Sequence, residues 1–592
     1  MRDNRSRWGR RWTRALLVLA LACGGAVAGC DDEKKPDGVA PTKTQEVAPS
    51  GPIEELKAPA EVVTFGGSDS LVSLAKKIGA VGGPMGSAAV NPAMIGKGMA
   101  KTFGLKNDGA FALDKPFRFA MVDPKNLKEP IVLIVSMTSK DELVALLPQD
   151  HKKDDRGNAI SYPVNGETVY LSFIDEFAVF SQDVELFAQQ KAFLVQLAGS
   201  KVGSEGVAVV SASNATKMYA KELTDAVAEA EKALAKQPGM PMGGDGMKKM
   251  AQWFATTAKE LDRVVIRLDG LADGGKLAFD LIPKEGSDLK KTFGALGKQK
   301  LELLDEVPAD APMAMVAAMD PDSTGELTQS LTAWSLQLSL GDDVDEELEQ
   351  AMDDYWKAST GQMAFAAHAV PNVEGLRFSG LFGVRDAEKA RAAQKVLRGI
   401  YQRDAFKKTY DELGVTMTFK PAAYTVGDVP VDRVEAKLDD TAGNANLGQA
   451  LGPSAALFSD LMNTHVAIAS PLGVMAYGQD GKAVIEAWLG GDMPGGLDQT
   501  PGMVRALKHA APGLFMVMYG KPLEVMKAMG VAAPQGGQAD QGGDSGLALS
   551  AGADEGTLHV VLDLPTTQVA ALMGAAMTMK GGMGAPTGPR GL

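Results

Sequence analysis

The stretch Ile131-Val-Leu-Ile-Val-Ser-Met-Thr-Ser-Lys-Asp-Glu142 is a short aliphatic run that passes directly into the start of a helix. Its aliphatic part has the length and β-branched content of a strand, and the Ser and Asp residues that follow are common helix caps. Leu376-Arg-Phe-Ser-Gly-Leu-Phe-Gly-Val-Arg-Asp-Ala-Glu388 repeats this order of strand and helix later in the chain. The two stretches therefore predict the same local unit twice.

Other segments recur in the same order around these two stretches. Tight turns such as Asn165-Gly166 join many predicted strands, and helices follow only particular strands, which favours antiparallel sheets with helices on one face. We therefore predict an α+β fold with two homologous halves, residues 53–304 and 305–577, each mainly antiparallel sheet with helices packed on it. The recurring pairs are 58–70 with 311–324, 117–124 with 363–370, 177–183 with 473–480, 207–211 with 514–518 and 272–281 with 553–564.

Length and charge narrow the class of protein. A chain of 592 residues is longer than a single hydrophobic core supports, which agrees with two folded halves. The hydrophobic fraction of 45% is typical of a globular protein. The formal net charge of -14 argues against nucleic acid as a partner, because phosphate binding requires clustered Lys and Arg.

The first 29 residues have the pattern of an export signal. A segment rich in Arg precedes the apolar run Ala15-Leu-Leu-Val-Leu-Ala-Leu-Ala-Cys23, and small residues follow it. This run is too short, and too rich in Gly and Ala, to predict a membrane-spanning helix. Arg10-Arg11 is a weak match to a twin-arginine signal, so the export route stays open.

The end of this signal, Val27-Ala28-Gly29-Cys30, resembles the lipobox of bacterial lipoproteins. The resemblance implies cleavage between Gly29 and Cys30 and a lipid attached to the Cys30 sulfur. The alternative is an ordinary secretory signal followed by a Cys that carries no lipid. Asp31 and Asp32 resemble an inner-membrane retention signal. That rule does not transfer between bacterial lineages, so the sequence does not distinguish the inner from the outer membrane.

The positions of the two Cys and the composition of the segments outside the folded halves lead to further predictions. Cys23 and Cys30 are the two Cys, and Cys23 would leave with the signal, so the mature chain would form no internal disulfide. Residues 30–52 contain several Pro and few large apolar residues, which predicts a disordered tether. We also predict a disordered tail at 578–592 and mobile insertions at 237–246 and 533–543.

Two patterns suggest metal binding but have simpler structural explanations. Asp320-Pro-Asp-Ser-Thr-Gly325 begins like a calcium loop, but Leu331 stands where that loop needs a bidentate acid, so a helix cap is favoured. The five His share no metal-ligand spacing, and we expect core or surface roles for them. These residues are His151, His368, His465, His509 and His559.

Three further patterns favour structural roles. Ser73-Leu-Ala-Lys76 and Ser287-Asp-Leu-Lys290 match the Ser-x-x-Lys of penicillin-binding enzymes, but the companion motifs are missing, and both predict helix starts. The acidic segment 342–354 also contains apolar residues at helical spacing. This pattern predicts a helix whose acidic face is exposed to solvent. Met clusters could bind Cu(I) or an apolar partner, although loop and core filling is favoured; they are Met85, Met94 and Met99, and Met240, Met242, Met247 and Met250.

The sequence therefore predicts no catalytic residue, metal or cofactor, and its clearest signal concerns location. We expect a lipid-anchored protein of a Gram-negative-type cell envelope, on the inner or outer membrane and facing the periplasm, that acts without catalysis by binding or scaffolding. The body loosely resembles large exported lipoproteins with repeated strand–helix units. A carrier of a lipid or other apolar ligand, held in a pocket between sheet and helices, is the first alternative, and an enzyme is the second. The expected partners are the membrane and either an apolar ligand or an envelope protein.

Overall fold

The computed structural model describes fourteen ranges of the chain, and these fall into two compact units. The first unit comprises Met1–Met218, Asp262–Leu281 and Asp563–Leu592, and the second comprises Tyr219–Leu261 and Ile282–Leu562. In the described part of the chain, no helix is both long enough and apolar enough to cross a membrane. The described residues are 51–81, 92–122, 131–222, 224–225, 256–271, 274–325, 345–370, 373–404, 406–407, 411, 415–438, 462–522, 524–525 and 546–569.

The first unit alternates antiparallel strands with short helices. Its strands are β1 (Val62–Ser68), β2 (Phe117–Val122), β3 (Ile131–Ser136), β4 (Lys152–Asp154), β5 (Ala159–Val164), β6 (Glu167–Ile174), β7 (Phe177–Ser181), β8 (Gly206–Val210), β9 (Leu261–Leu271) and β10 (Gly274–Pro283). Its helices are α1 (Leu71–Val81), α2 (Pro92–Thr102), α3 (Lys140–Ala145), α4 (Glu185–Gln189), α5 (Lys191–Ala198) and α6 (Ala212–Met218).

The second unit has several hairpins with long strands. Its strands are β11 (Met313–Ala318), β12 (Ser359–Val370), β13 (Val373–Val384), β14 (Val415–Val426), β15 (Val429–Leu438), β16 (Thr464–Ile468), β17 (Leu472–Tyr477), β18 (Leu514–Gly520), β19 (Leu547–Asp554) and β20 (Thr557–Pro565). Its helices are α7 (Asp288–Ala295), α8 (Glu346–Ala358), α9 (Ala387–Arg398), α10 (Gly481–Gly490) and α11 (Pro501–Lys508).

Both units order their strands in the same way. Across the first unit the order is β4-β5-β6-β7-β3-β2-β1-β8-β9-β10, with antiparallel neighbours. Across the second it is β14-β15-β16-β17-β13-β12-β11-β18-β19-β20. Each strand of the second order is the strand of the first with ten added to its number. The predicted α+β class with mainly antiparallel sheet is therefore confirmed.

Helices cover both faces of the sheet in the first unit, so the prediction of helices on one face was wrong. Phe180 of β7 stacks on Phe103, just beyond α2, with ring centroids 4.1 Å apart. Phe65 of β1 lies on the opposite face and meets Phe193 of α5 edge-on at 5.4 Å. All five residues of β7 are buried, because a strand covered on both faces has no solvent-facing side.

The second unit has the same two-sided arrangement. On one face Ala364, Ala476 and Val517 of the sheet pack with Val484 and Ile485 of α10 in a large apolar core. On the other face a smaller cluster joins the sheet to α8 and α9 through Ala358, Phe382, Ala390 and Val466, with further members Val384 and Ile468. Alternate residues of one strand therefore enter two different cores.

Candidate functional site

A group of buried polar side chains in the second unit lies on the sheet face beneath α10. His368 and His465 both point to this face, and their side chains are 0% and 2% exposed. Each imidazole is hydrogen-bonded to a hydroxyl group from a neighbouring strand. Because His is the side chain that most often transfers protons, we take this cluster as the candidate site.

His368 lies in a fully satisfied arrangement on β12. Its Nδ1 is 3.0 Å from the Ala369 carbonyl oxygen, which can only accept, so Nδ1 carries the proton. Its Nε2 accepts from the Ser379 hydroxyl of β13 at 2.6 Å. Burial lowers the pKa of His368, and the ring of Trp488 meets it edge-on at 5.8 Å. Ser379 is itself 1% exposed, so this Ser–His pair is closed to a substrate.

His465 of β16 has one satisfied nitrogen and one without a partner. Its Nδ1 is 2.8 Å from the Tyr424 hydroxyl of β14. Its Nε2 is buried and has no hydrogen-bond partner among the residues that the structure describes. Burial lowers the pKa of His465 to about 4, with a smaller contribution from the positive charge of Arg433. The neutral imidazole is therefore the stable form at this position near neutral pH.

The charged residues around His465 are paired with one another. Arg433 lies directly opposite His465 on β15, and its Nη1 is 3.1 Å from Glu435 Oε1. Lys420 of β14 lies 2.7 Å from the other Glu435 oxygen and lowers the pKa of that carboxyl. Asp480, just before α10, accepts from Arg377 at 2.5 Å. These ion pairs leave no carboxylate bonded to the imidazole, so a His–acid dyad is not formed among the described side chains.

In the first unit the most deeply buried charge is Arg118 of β2. Its Nη1 donates to the Ser68 carbonyl at 2.5 Å, and its Nη2 donates to the Ser200 carbonyl and to Asp69 Oδ1, each at 2.5 Å. Burial lowers the pKa of Arg118, although Asp69 opposes the shift. Because carbonyl oxygens of the fold engage the guanidinium, it joins chain segments and is not free to bind a ligand.

Several residues singled out in the sequence are helix caps or helix-turn residues, as predicted. The Ser287 hydroxyl accepts from the Lys290 amide at the start of α7. Asp320 accepts from the Asp322 amide at 3.2 Å and from the Thr324 hydroxyl at 2.6 Å. Ser73 lies in the first turn of α1 and donates to Glu205 at 2.9 Å, not to Lys76, which is exposed.

The other sequence candidates divide between described and undescribed parts of the chain. Leu348, Ala351 and Met352 are buried in α8, while most of the acidic side chains around them are exposed, as a solvated helix face requires. His151 is exposed, and His509 and His559 are partly exposed. No group of three or more metal-ligating side chains is found in the ranges that the structure describes. The candidates outside those ranges are Gly29, Cys30, Met85, Met240, Met242, Met247, Met250, Leu331 and residues 342–344.

Sequence reasoning missed Ser379, Tyr424, Arg433 and Arg118. Ser379 is eleven residues from His368 and faces it across the β12–β13 hairpin, so a hairpin register could have brought the pair together. Tyr424 and His465 are 41 residues apart on strands that are not adjacent in the chain, and no local spacing predicts their contact.

No family model matches this chain, and no curated protein or solved structure matches it either.

Proposed function

We propose that this protein is a lipid-anchored component of a bacterial cell envelope that acts without catalysis, by binding or scaffolding. The observation that carries the proposal is Val27-Ala28-Gly29-Cys30 at the end of a basic and then apolar leader. Each buried methylene contributes about 0.8 kcal/mol to membrane binding, so two or more acyl chains on Cys30 anchor a protein stably. The full chain has a formal net charge of -14, and the body without its Arg-rich leader is more acidic still. Such a body gains no attraction from anionic headgroups, so the lipid must provide the anchoring.

The folded body is consistent with a binding role more than with an enzyme. The buried polar side chains of Arg118, His368 and Ser379 are engaged by the fold itself. A catalytic acid, base or nucleophile must reach a substrate, and these groups are closed off by their own strands and helices.

We also propose that the body arose by duplication, with halves near 53–304 and 305–577. Two independent observations support it. The recurring sequence segments fall on corresponding strands, for example 117–124 on β2 and 363–370 on β12. The ten-strand order is the same in both units, which separate origins would have to reproduce by coincidence.

The anchor is tested with a pair of Cys substitutions in the full chain. Cys30→Ser should move the protein from the membrane fraction to the soluble periplasmic fraction. Cys23→Ser is the matched control, since Cys23 lies in the leader, and it should leave the protein in the membrane. Intact mass of the native protein should show acyl chains on an N-terminal Cys. Membrane retention of the Cys30→Ser variant, or an unmodified thiol, would contradict the proposal.

A carrier of an apolar ligand is a second candidate, and one surface of the second unit favours it. Met518 of β18 lies opposite Met315 of β11, which lies opposite Phe365 of β12, so the three form a row across the sheet. Met518 is 42% exposed, and the other two are partly exposed. Flexible Met side chains beside an aromatic ring adapt well to acyl chains and other apolar ligands.

The carrier function is tested by organic extraction and mass spectrometry of the purified Cys30→Ser protein. If the row of Met518, Met315 and Phe365 binds a lipid, a stoichiometric amount of that lipid should co-purify with the protein. Met518→Lys should reduce this amount severalfold. Val504→Lys is the matched control, because Val504 of α11 is 52% exposed and belongs to the helices on the opposite face. Absence of any co-purifying lipid, or equal loss in both variants, would leave only the binding and scaffold role.

A further inference from the structure

We propose that α10 is an acid-responsive element of the second unit, and that protonation of His465 loosens this helix from the sheet beneath it. The proposal concerns the folded body and does not depend on the lipid anchor or on the ligand. It rests on the way in which α10 covers the two buried imidazoles, on the hydrogen bonds available to each ring, and on the charges that face them.

The helix contacts one His near each of its ends. At its first residue, an ideal Cβ on Gly481 would stand 2.4 Å from Cδ2 and 3.0 Å from Nε2 of His465, so the ring lies directly against the helix backbone. Two turns later, Trp488 meets the ring of His368 at 5.8 Å with an interplanar angle of 89°. Residues seven apart lie on the same side of a helix, so both imidazoles support one face of α10.

When Nδ1–H of the neutral His465 ring donates to the Tyr424 hydroxyl, a second proton on Nε2 has no acceptor in the packed site. The neutral ring uses Nδ1 for the Tyr424 hydroxyl and leaves Nε2 without a partner among the described residues. The imidazolium form would present two N–H donors, and Nε2 faces Gly481 at the start of α10. A buried donor without an acceptor destabilises a fold, and a charged donor does so more strongly.

The positive charge of Arg433 also disfavours the imidazolium, and the negative charge of Glu435 opposes this effect less strongly. Arg433 lies directly opposite on β15, and Lys482 of α10 lies over the Tyr424 ring at 5.6 Å. The N-terminal end of α10 carries the positive end of the helix dipole. The carboxylates on these elements are already paired: Glu435 with Lys420 and Arg433, Glu486 with Lys482 at 3.7 Å, and Asp480 with Arg377.

Protonation of His368 should disturb the packing of α10 less than protonation of His465. Its Nδ1–H already donates to the Ala369 carbonyl, and the Ser379 hydroxyl can rotate from donating to accepting when Nε2 gains a proton. Arg377 faces it from β13, and the negative charge of Asp310 acts on it from before β11. Protonated His368 therefore keeps two hydrogen bonds and loses mainly solvation, whereas protonated His465 also lacks an acceptor.

The direction of the pH effect follows from these pKa values. Burial lowers the pKa of His465 to about 4 from its ordinary value of 6.5. A detached helix would return the ring to solvent, so the detached form binds more protons between these pH values. Falling pH therefore favours detachment across this window, with a change in the opening equilibrium of roughly a hundredfold.

Hydrogen exchange with mass spectrometry on the full-length protein tests the proposal. After correction for intrinsic exchange, peptides covering 481–490 should lose protection by roughly a hundredfold between pH 6.5 and pH 4. Peptides covering β1 and β2 of the first unit should keep their protection, which separates local opening from global unfolding. His465→Gln stays neutral and should remove most of the change, and the matched variant His368→Gln should retain it. An unchanged response in His465→Gln, or equal loss of protection in both units, would overturn the proposal.

A second measurement needs no variant. Exchange of the imidazole C2 proton, followed by mass spectrometry, reports the pKa of each His in the wild-type protein. His465 should titrate well below the ordinary imidazole pKa of 6.5, because the folded protein buries its ring. Titration of His465 near that ordinary value would overturn the proposal even where the variants fail to fold.

Discussion

Gly481 and His465 are packed so closely that an ideal Cβ at residue 481 would stand 2.4 Å from the imidazole Cδ2. Gly481→Ala must therefore displace the ring or the helix, and we expect a loss of about 1–3 kcal/mol in the free energy of unfolding. Gly490 of the same helix is the matched control, since its Cβ would meet only Asp492 Oδ2 at 3.4 Å. Gly490→Ala should be neutral or slightly stabilising. Urea unfolding measures both, and equal midpoints for the two variants would contradict this packing.

Substitutions of Ser379 and His368 should have strongly non-additive effects on the free energy of unfolding, because the two side chains share a buried hydrogen bond. Ser379→Ala leaves the buried Nε2 acceptor of His368 unsatisfied, and we expect a loss of about 1–3 kcal/mol. His368→Phe removes the acceptor, so adding Ser379→Ala to that variant should cost much less. A double-mutant cycle by chemical unfolding measures the difference, and purely additive effects would show that the 2.6 Å contact contributes nothing.

Arg118 should tolerate no shorter or less branched cation. Arg118→Lys keeps the charge but cannot reach Ser68, Asp69 and Ser200 together, so we expect a loss of about 3 kcal/mol. Arg156→Lys is the comparison, because Arg156 and its partner Asp154 form an ion pair at the surface. That variant should unfold like the wild type. Equal sensitivity at the two positions would contradict the role of Arg118 inside the fold.

Substitutions at two adjacent residues of α8 should have very different effects on the free energy of unfolding. Leu348 is fully buried with Ile400 and Phe406, and Leu348→Ala should cost about 2–5 kcal/mol. Glu349 is exposed, and Glu349→Gln should change the free energy of unfolding by less than about 0.5 kcal/mol. Thermal and urea unfolding distinguish the two. A large effect of Glu349→Gln would instead indicate that the acidic face has a partner.

Alkaline pH should weaken the second unit through Tyr424. Burial raises the pKa of Tyr424 to about 12 from 10.0, so the unfolded chain releases this proton first as pH rises. The stabilising contribution is complete below pH 10 and is lost as pH rises toward 12. Tyr424→Phe should therefore flatten the decline of stability over this window. A decline of the same steepness in the variant would show that Tyr424 ionises equally easily in both states.

Local patterns were sufficient for the elements and their caps. The aliphatic run 131–136 and the capping residue Ser139 placed β3 and α3 correctly, and the heptad-like spacing of Leu348, Ala351 and Met352 placed the buried side of α8. These features depend on neighbours within one or two turns, which the chain order itself brings together. The lipobox remains a prediction, since Cys30 lies outside the described residues.

The sequence by itself determined the succession of strands and helices around the two recurring units and the α+β class. Only the tertiary structure decided that both faces of each sheet are covered, that Arg118 reaches Ser200, and that His465 meets Tyr424 beneath α10. The reason is that these contacts join strands distant in the chain. Strand order across a sheet depends on the competition among all possible pairings, and no window of a few residues contains that information.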